Sequence, residues 1–315
     1  MIRVENLTRR YGDFLAVDDV SFQIARGEIV GLLGHNGAGK TTLMKMLVGY
    51  LEPNAGVLQV DGLSMDTSRR LIQQQMGYLP ENCPVYPEMT VIDYLRYAAR
   101  LQGVPRHAID EAVFKAIERT ALQEKAAATI ATLSRGLRQR VGVAQAILHE
   151  PRILILDEPT NGLDPSQIHH MRDLIKALAE KATVIVSTHI LQEVQAVCDR
   201  VIIMRRGSIA LDSRLDSLRY SNRLLIQTNA TLESLQPLLN KVSGVRDISQ
   251  LEQAKEYSRY VLNLESEANP NTVSPLVAKY IHDQGWPLYA LHPETRDLET
   301  VFGQINAESA QGGLL

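Results

Sequence analysis

Apolar and polar positions alternate twice near the start of the chain, over residues 2–7 and 16–24. That two-residue period predicts two half-buried β-strands. The run Ile29-Val30-Gly31-Leu32-Leu33 breaks the alternation and is apolar throughout, as a strand covered on both faces should be. It leads through a glycine-rich stretch to Leu43-Met44-Lys45-Met46-Leu47, which has helical spacing. Residues 57–60 and 77–79 predict further short strands. From 91 to 121 the period is helical. Ile92, Leu95 and Ala99 share one face and Ile109, Val113, Ala116 and Ile117 another, with Gly103-Val104-Pro105 between them. A mostly helical insertion over about 84–131 is therefore expected between strands of a core. A helix opening after Leu133 and running to Ile147 comes next. Two more buried strands, 152–156 and 182–187, flank a helix over 166–180. A helix over 190–198 and strands at 200–204 and 208–211 close this part of the chain.

Beyond about residue 218 the order of elements changes. Strands are predicted at 224–228, 245–249, 260–264 and 288–291, helices at 232–242 and 272–284, and a closing helix at 298–305. The order βαββαβ fits a small ferredoxin-like α+β sandwich. The expected organisation is a large α/β domain over 1–218, a second domain over 219–308, and a frayed tail over 309–315.

Composition changes this picture little. The 315 residues are 45% hydrophobic and 22% charged, enough apolar material for a core. A net charge of −3 argues against nucleic acid as the main partner. Cys83 and Cys198 stand far apart and outside any metal-ligand spacing, so a reducing, cytoplasmic setting is expected rather than a disulfide framework. The first residues lack the apolar segment of a signal peptide, and no run approaches the roughly 18 apolar residues of a spanning helix. Any work at a membrane is expected to need a partner.

The candidate chemistry starts at Gly34-His35-Asn36-Gly37-Ala38-Gly39-Lys40-Thr41-Thr42. A glycine loop between a strand and a helix lets successive N–H groups point at phosphate oxygens, and the helix offers its N-terminus to the same anion. Lys40 is placed to reach β- and γ-phosphates, and the Thr41 hydroxyl to hold Mg²⁺. Asp157 and Glu158 end the apolar run 152–156, so their carboxylates should emerge at the sheet edge beside this loop. The strand period would turn them to opposite sides, one toward Mg²⁺ and one toward the attacking water. His169-His170 suggests a metal pair only superficially, because adjacent helical positions diverge.

Together these motifs resemble the nucleotide-binding subunits of ATP-binding-cassette (ABC) transporters over about residues 2–211. Residues 34–42 resemble the Walker A loop, 153–158 Walker B, and Asn161-Gly162-Leu163-Asp164 the D-loop. Ser187-Thr188-His189 resembles the switch histidine, and 133–139 stands where the family has its signature. The resemblance implies a P-loop NTPase with a RecA-like core, an antiparallel β subdomain and a helical subdomain, binding ATP and Mg²⁺. It implies nucleotide contacts by Gly34, Asn36, Gly37, Gly39, Lys40, Thr41 and Thr42, and adenine stacking on Tyr11. Glu158 would orient or deprotonate water, His189 would contact the γ-phosphate, and Thr41, Glu81 and Asp157 would form the magnesium site. Ser134 and Gly136 would meet the nucleotide of a second cassette, in a homodimer or with a homologous partner.

Two departures stand out. The signature reads Leu133-Ser134-Arg135-Gly136-Leu137, where the family usually has Leu-Ser-Gly-Gly-Gln, so Arg135 either adds charge toward phosphate or points outward. Glu81 stands where most relatives carry glutamine. Both departures resemble cassettes of bacterial type-2 exporters, including gliding-motility types. The resemblance thus implies ATP hydrolysis driving a separate permease that docks near residues 81–91, with the chain peripheral on the inner membrane face. Alternatives are a cytosolic ABC ATPase without a permease, and a regulatory sensor added by the C-terminal domain.

Overall fold

The computed structural model describes residues 1–254, 257–265, 268–295 and 302–303. It divides into two compact units, Met1–Leu215 and a second beginning at Asp216.

The first unit contains, in chain order, strands β1 (Ile2–Tyr11), β2 (Phe14–Ile24) and β3 (Ile29–Leu33), and helix α1 (Lys40–Leu47). There follow β4 (Ala55–Val60), β5 (Leu63–Ser64), α2 (Met65–Gln73) and β6 (Met76–Leu79). The helices α3 (Val91–Leu101), α4 (Ile109–Arg119) and α5 (Arg135–Ile147) come next. The unit ends with β7 (Ile153–Asp157), α6 (Pro165–Ala179), β8 (Thr183–Thr188), α7 (Leu191–Val197), β9 (Arg200–Arg205) and β10 (Ser208–Arg214).

Strands β10-β9-β3-β8-β7-β6 form one sheet in that order, parallel from β9 to β6 and antiparallel at the β9–β10 edge. Every residue of β3, β7 and β8 is buried, which is why their sequences run apolar without alternating. The phosphate loop after β3 and the acids ending β7 therefore leave the same carboxyl edge of one sheet. A second, antiparallel sheet, β2-β1-β4-β5, alternates as a half-covered sheet should. Its inner side chains Val4, Leu7, Val20 and Phe22 share a core with Leu43, Met44 and Leu47 of α1. The insertion is helical as expected: Leu95 and Ala99 of α3 and Ile109, Val113, Ala116 and Ile117 of α4 pack with α5.

Three local differences from the sequence reading have physical causes. Helix α2 is unanticipated because it buries only Met65 and Ile72, and apart from the exposed Leu71 the rest of its residues are polar. Strand β1 continues through Arg9 and Arg10 to Tyr11, which pairs with Phe14, so the expected loop shrinks to Gly12-Asp13. The strand carrying the two acids ends at Asp157. Glu158 has a left-handed backbone (φ 50°), and that turn, not the pleat of a strand, sets its direction.

The second unit starts with the short helix α8 (Leu215–Arg219), which straddles the division. It continues with β11 (Tyr220–Thr228), α9 (Leu232–Leu239), β12 (Val245–Gln253), β13 (Ser258–Leu264), α10 (Pro270–Asp283) and β14 (Leu288–Thr295). The strands lie in the order β12-β13-β11-β14 with every pair antiparallel, a ferredoxin-like βαββαβ sandwich. Leu224, Ile226, Leu262 and Leu264 line its core against Leu235 and Leu239 of α9 and Val273, Val277 and Ile281 of α10. The expected closing helix at 298–305 lies outside the described residues except for 302–303, which are helical, and so does the tail at 309–315.

Candidate active site

The loop after β3 forms a cleft of about 280 Å³, walled by Asn36, Gly37, Gly39, Lys40, Thr41 and Thr42, with Glu81, Glu158, Phe14 and Ala16. Two glycines are required by the geometry. Gly39 caps α1 with φ 102°, and a Cβ there would run into the Ala16 carbonyl. Gly34 lies so close to the Met204 carbonyl that any Cβ would clash. Because Gly39 has no side chain to cap the helix, the first-turn N–H groups of α1 are left for an anion.

Lys40 is buried, 6% exposed, with Nζ 2.6 Å from the Gly34 carbonyl and 3.8 Å from Glu158 Oε1. Beneath it Asp157 is fully buried, and neither of its oxygens has a hydrogen-bond partner. Desolvation raises the Asp157 pKa and the Glu81 charge adds to this, while the nearby Ser187 and Thr41 hydroxyls and Lys40 oppose it. Glu158 is also buried. Desolvation raises its pKa, His189 and Lys40 lower it, and Asp157 raises it further. His189 leaves the end of β8 half-exposed and places Nδ1 2.9 Å from Glu158 Oε2. The left-handed turn at Glu158 is fixed by its N–H, which donates to the Ser187 carbonyl at 3.0 Å.

Two orphaned carboxylate oxygens beside a threonine hydroxyl are hard donors suited to Mg²⁺. Among the described residues no three His, Cys, Asp or Glu side chains cluster closely enough to hold a metal alone. A cation here would complete its shell with phosphate oxygens and water, which is how magnesium is commonly bound at triphosphate sites.

The raised carboxylates carry a stability cost that can be measured. A carboxylate whose folded pKa is raised contributes stability below its unfolded pKa and loses it as pH rises through the folded value. In the nucleotide-free protein, Glu158→Gln and Asp157→Asn should therefore each raise Tm at neutral and mildly alkaline pH. The gain should vanish as pH falls through the ordinary carboxylate range. A gain unchanged at acid pH would show that desolvated charge is not its source.

The remaining expected site residues lie outside the cleft walls. Ser134 caps α5, accepting from the Leu137 N–H at 3.3 Å, and is exposed; Gly136 is buried against the Gln167 side chain. The Arg135 guanidinium lies against Gly162, where a Cβ would force it to shift. Leu137 packs on the core of the helical region, so the family's amide position is taken by an apolar contact. Tyr11 is exposed, and the Arg9 guanidinium sits 4.9 Å from its ring centroid. Across the hairpin it is Phe14, not Tyr11, that lines the cleft. The sequence signal for Phe14 was an aromatic immediately after a Gly-Asp turn and opposite Tyr11.

The sequence model of the family described as ABC transporter matches residues 17–161. An uncharacterised ABC transporter ATP-binding protein of Bacillus subtilis (strain 168), YdbJ, is 34% identical over 304 residues, 96% of this chain and 94% of that protein. Nod factor export ATP-binding protein I of Burkholderia orbicola (strain AU 1054) is 37% identical over 65% of this chain and 68% of its own length. Among solved structures, cbiO1 of Clostridium perfringens, part of the ABC transporter complex cbiONQ, superposes with a TM-score of 0.62. It is 30% identical, covering 68% of this chain and 88% of that one.

Proposed function

The chain belongs to the ABC transporter ATP-binding protein family and is an ATPase, and on that premise we propose that it powers a bacterial type-2 exporter, moving a separate permease by ATP-dependent closure of two cassettes. The observation that carries this reading is the split of the site. The phosphate loop and Glu158 line one cleft at a sheet edge, while Ser134 stands exposed as the cap of α5, a helix that packs with the helical insertion. A second copy of the chain, or a homologous cassette, would supply Ser134 and the α5 N-terminus to phosphates held by Lys40.

In this mechanism the N–H groups of the loop and the Lys40 ammonium bind the β- and γ-phosphates. Thr41, Asp157 and Glu81 hold Mg²⁺, which when bound neutralises phosphate charge. Glu158 accepts a proton from the attacking water. Its raised pKa makes it a better base than an exposed carboxylate, and it shifts the acid limb of the pH–rate profile upward. His189, bonded to Glu158, holds the γ-phosphate and that carboxylate in one register. Tyr11 and Phe14, at the hairpin tip, offer ring faces to adenine. Closure favours the ATP-bound dimer only through contacts made in that state, and hydrolysis removes them.

On this reading the permease docks near residues 81–91. Tyr86 is exposed there and meets Tyr97, also exposed, edge to face with ring centroids 5.6 Å apart. No described helix is long and apolar enough to cross a membrane, which fits a peripheral subunit on the inner face of the cell membrane. Similarity to a protein named for Nod factor export supports the direction of transport. A net charge of −3 gives no footprint for nucleic acid.

Reconstitution in vesicles with a multi-span membrane protein, sought among the reading frames next to this gene, tests the reading. Tyr86→Asp should leave the turnover of the isolated chain near wild type and remove its stimulation by that protein. A chain whose turnover ignores the membrane protein, with or without the substitution, would favour a cytosolic ABC ATPase instead.

A further inference from the structure

One buried carboxylate of the first unit takes no part in the chemistry above. Glu193, on α7, is 5% exposed. Its Oε2 accepts from two hydroxyls at once, Thr160 and Thr188, the latter at 3.0 Å. Its Oε1 is buried without a partner. The Thr188 hydroxyl in turn accepts from the Ile190 N–H at 3.1 Å, where α7 begins.

The two threonines are the informative part. Thr160 lies two residues after Glu158, and Thr188 immediately before His189. Glu193 thus ties the exit from one strand end to the exit from its neighbour, β7 to β8, the two exits that also carry Glu158 and His189. A desolvated carboxylate with one oxygen idle is an expensive way to fill space, and an apolar side chain would pack at lower cost. We infer that Glu193 is a positioning residue for hydrolysis: through Thr160 and Thr188 it fixes the separation of the backbones that carry Glu158 and His189.

The pair needs such a bracket. His189 is half-exposed on a turn, and Glu158 holds a left-handed conformation that non-glycine residues seldom adopt. A hydrogen bond from a half-exposed ring gives little rigidity alone, because the His189 side chain retains rotamer freedom. Clamping the two backbones fixes the directions from which the side chains start. Such supporting contacts matter because misplacement of a reacting group by about 1 Å can cost about a hundredfold in rate.

The inference rests on the assignment of Glu158 and His189 to hydrolysis, so Glu158→Gln is carried as a separate arm. The informative variants are Thr160→Val and Thr188→Val, which keep shape and remove one hydroxyl each, with Thr160→Ser and Thr188→Ser as restorations. Thr188→Val also frees the Ile190 N–H, so Thr160→Val is the cleaner reading. Each valine variant should lower kcat by about tenfold or more, leave KM for ATP close to wild type, lower Tm by the few degrees that one hydrogen bond to a buried carboxylate accounts for, and regain most of both losses as serine. Wild-type kcat in both valine variants overturns the inference. So does a fall in kcat matched by falls in ATP affinity and Tm that serine does not restore, since that is a packing defect. If Glu158→Gln itself turns over normally, the hydrolytic assignment has failed and the inference falls with it. If Glu158→Gln is inactive and the valine variants are normal, only the inference fails.

Discussion

Replacing Glu158 with glutamine should lower kcat for ATP by about a thousandfold while ATP-bound dimers accumulate. Glutamine has nearly the shape of glutamate and can keep a hydrogen bond to His189, so the left-handed turn and the Ser187 contact should survive. What disappears is the group able to take a proton from water. Nucleotide binding uses the loop N–H groups and Lys40, which are untouched, so KM should change little and the loss should fall on kcat. Removing a desolvated negative charge from beside Asp157 should also stabilise the resting protein at neutral pH, and stability and activity would thus move in opposite directions. Single-turnover phosphate release and size-exclusion chromatography with ATP read the two halves of this prediction. Normal turnover would mean that another group activates the water.

Lys40→Ala should act at the earlier step. The ammonium is buried under the cleft and bonded to the Gly34 carbonyl, so it is preorganised where an anion would sit and has little water to lose on binding. Truncating one member of a buried, hydrogen-bonded charge pair costs about 2–5 kcal/mol, a loss of ATP affinity of roughly thirtyfold or more. Without the ligand, Lys40 also moderates the charge of Glu158 and Asp157, so its loss should lower Tm as well. Calorimetric titration with ATP measures the first effect and a melting curve the second. An affinity within a few-fold of wild type would remove Lys40 from the phosphate site.

Much of this was legible in the chain because the relevant signals are local. An apolar run, a glycine loop and a helical period identify the β3-loop-α1 unit without any knowledge of tertiary contacts, and the same holds for β7 and β8. The βαββαβ order of the second unit was readable because each strand and helix there keeps its own period. The missing pieces depend on neighbours that sequence does not show. Helix α2 has too few apolar positions to register a stripe. The direction of Glu158 comes from a left-handed turn pinned by a carbonyl of the adjacent strand. Arg135 could be read as facing phosphate or solvent; its packing on Gly162 is a contact between segments 27 residues apart. Phe14 enters the cleft because the hairpin is tighter than its polar sequence suggests.

In the proposed dimer each nucleotide is held between Lys40 of one cassette and Ser134 of another. Mixing two inactive variants tests it most directly: Lys40→Ala, with its signature intact, and Ser134→Glu, with its phosphate loop intact. Combined without nucleotide and then given ATP and Mg²⁺, they should regain turnover, since a mixed dimer contains one undamaged pairing of loop and signature. If the mixture stays as inactive as its separate components, Ser134 and Lys40 do not act on one nucleotide across two copies of this chain.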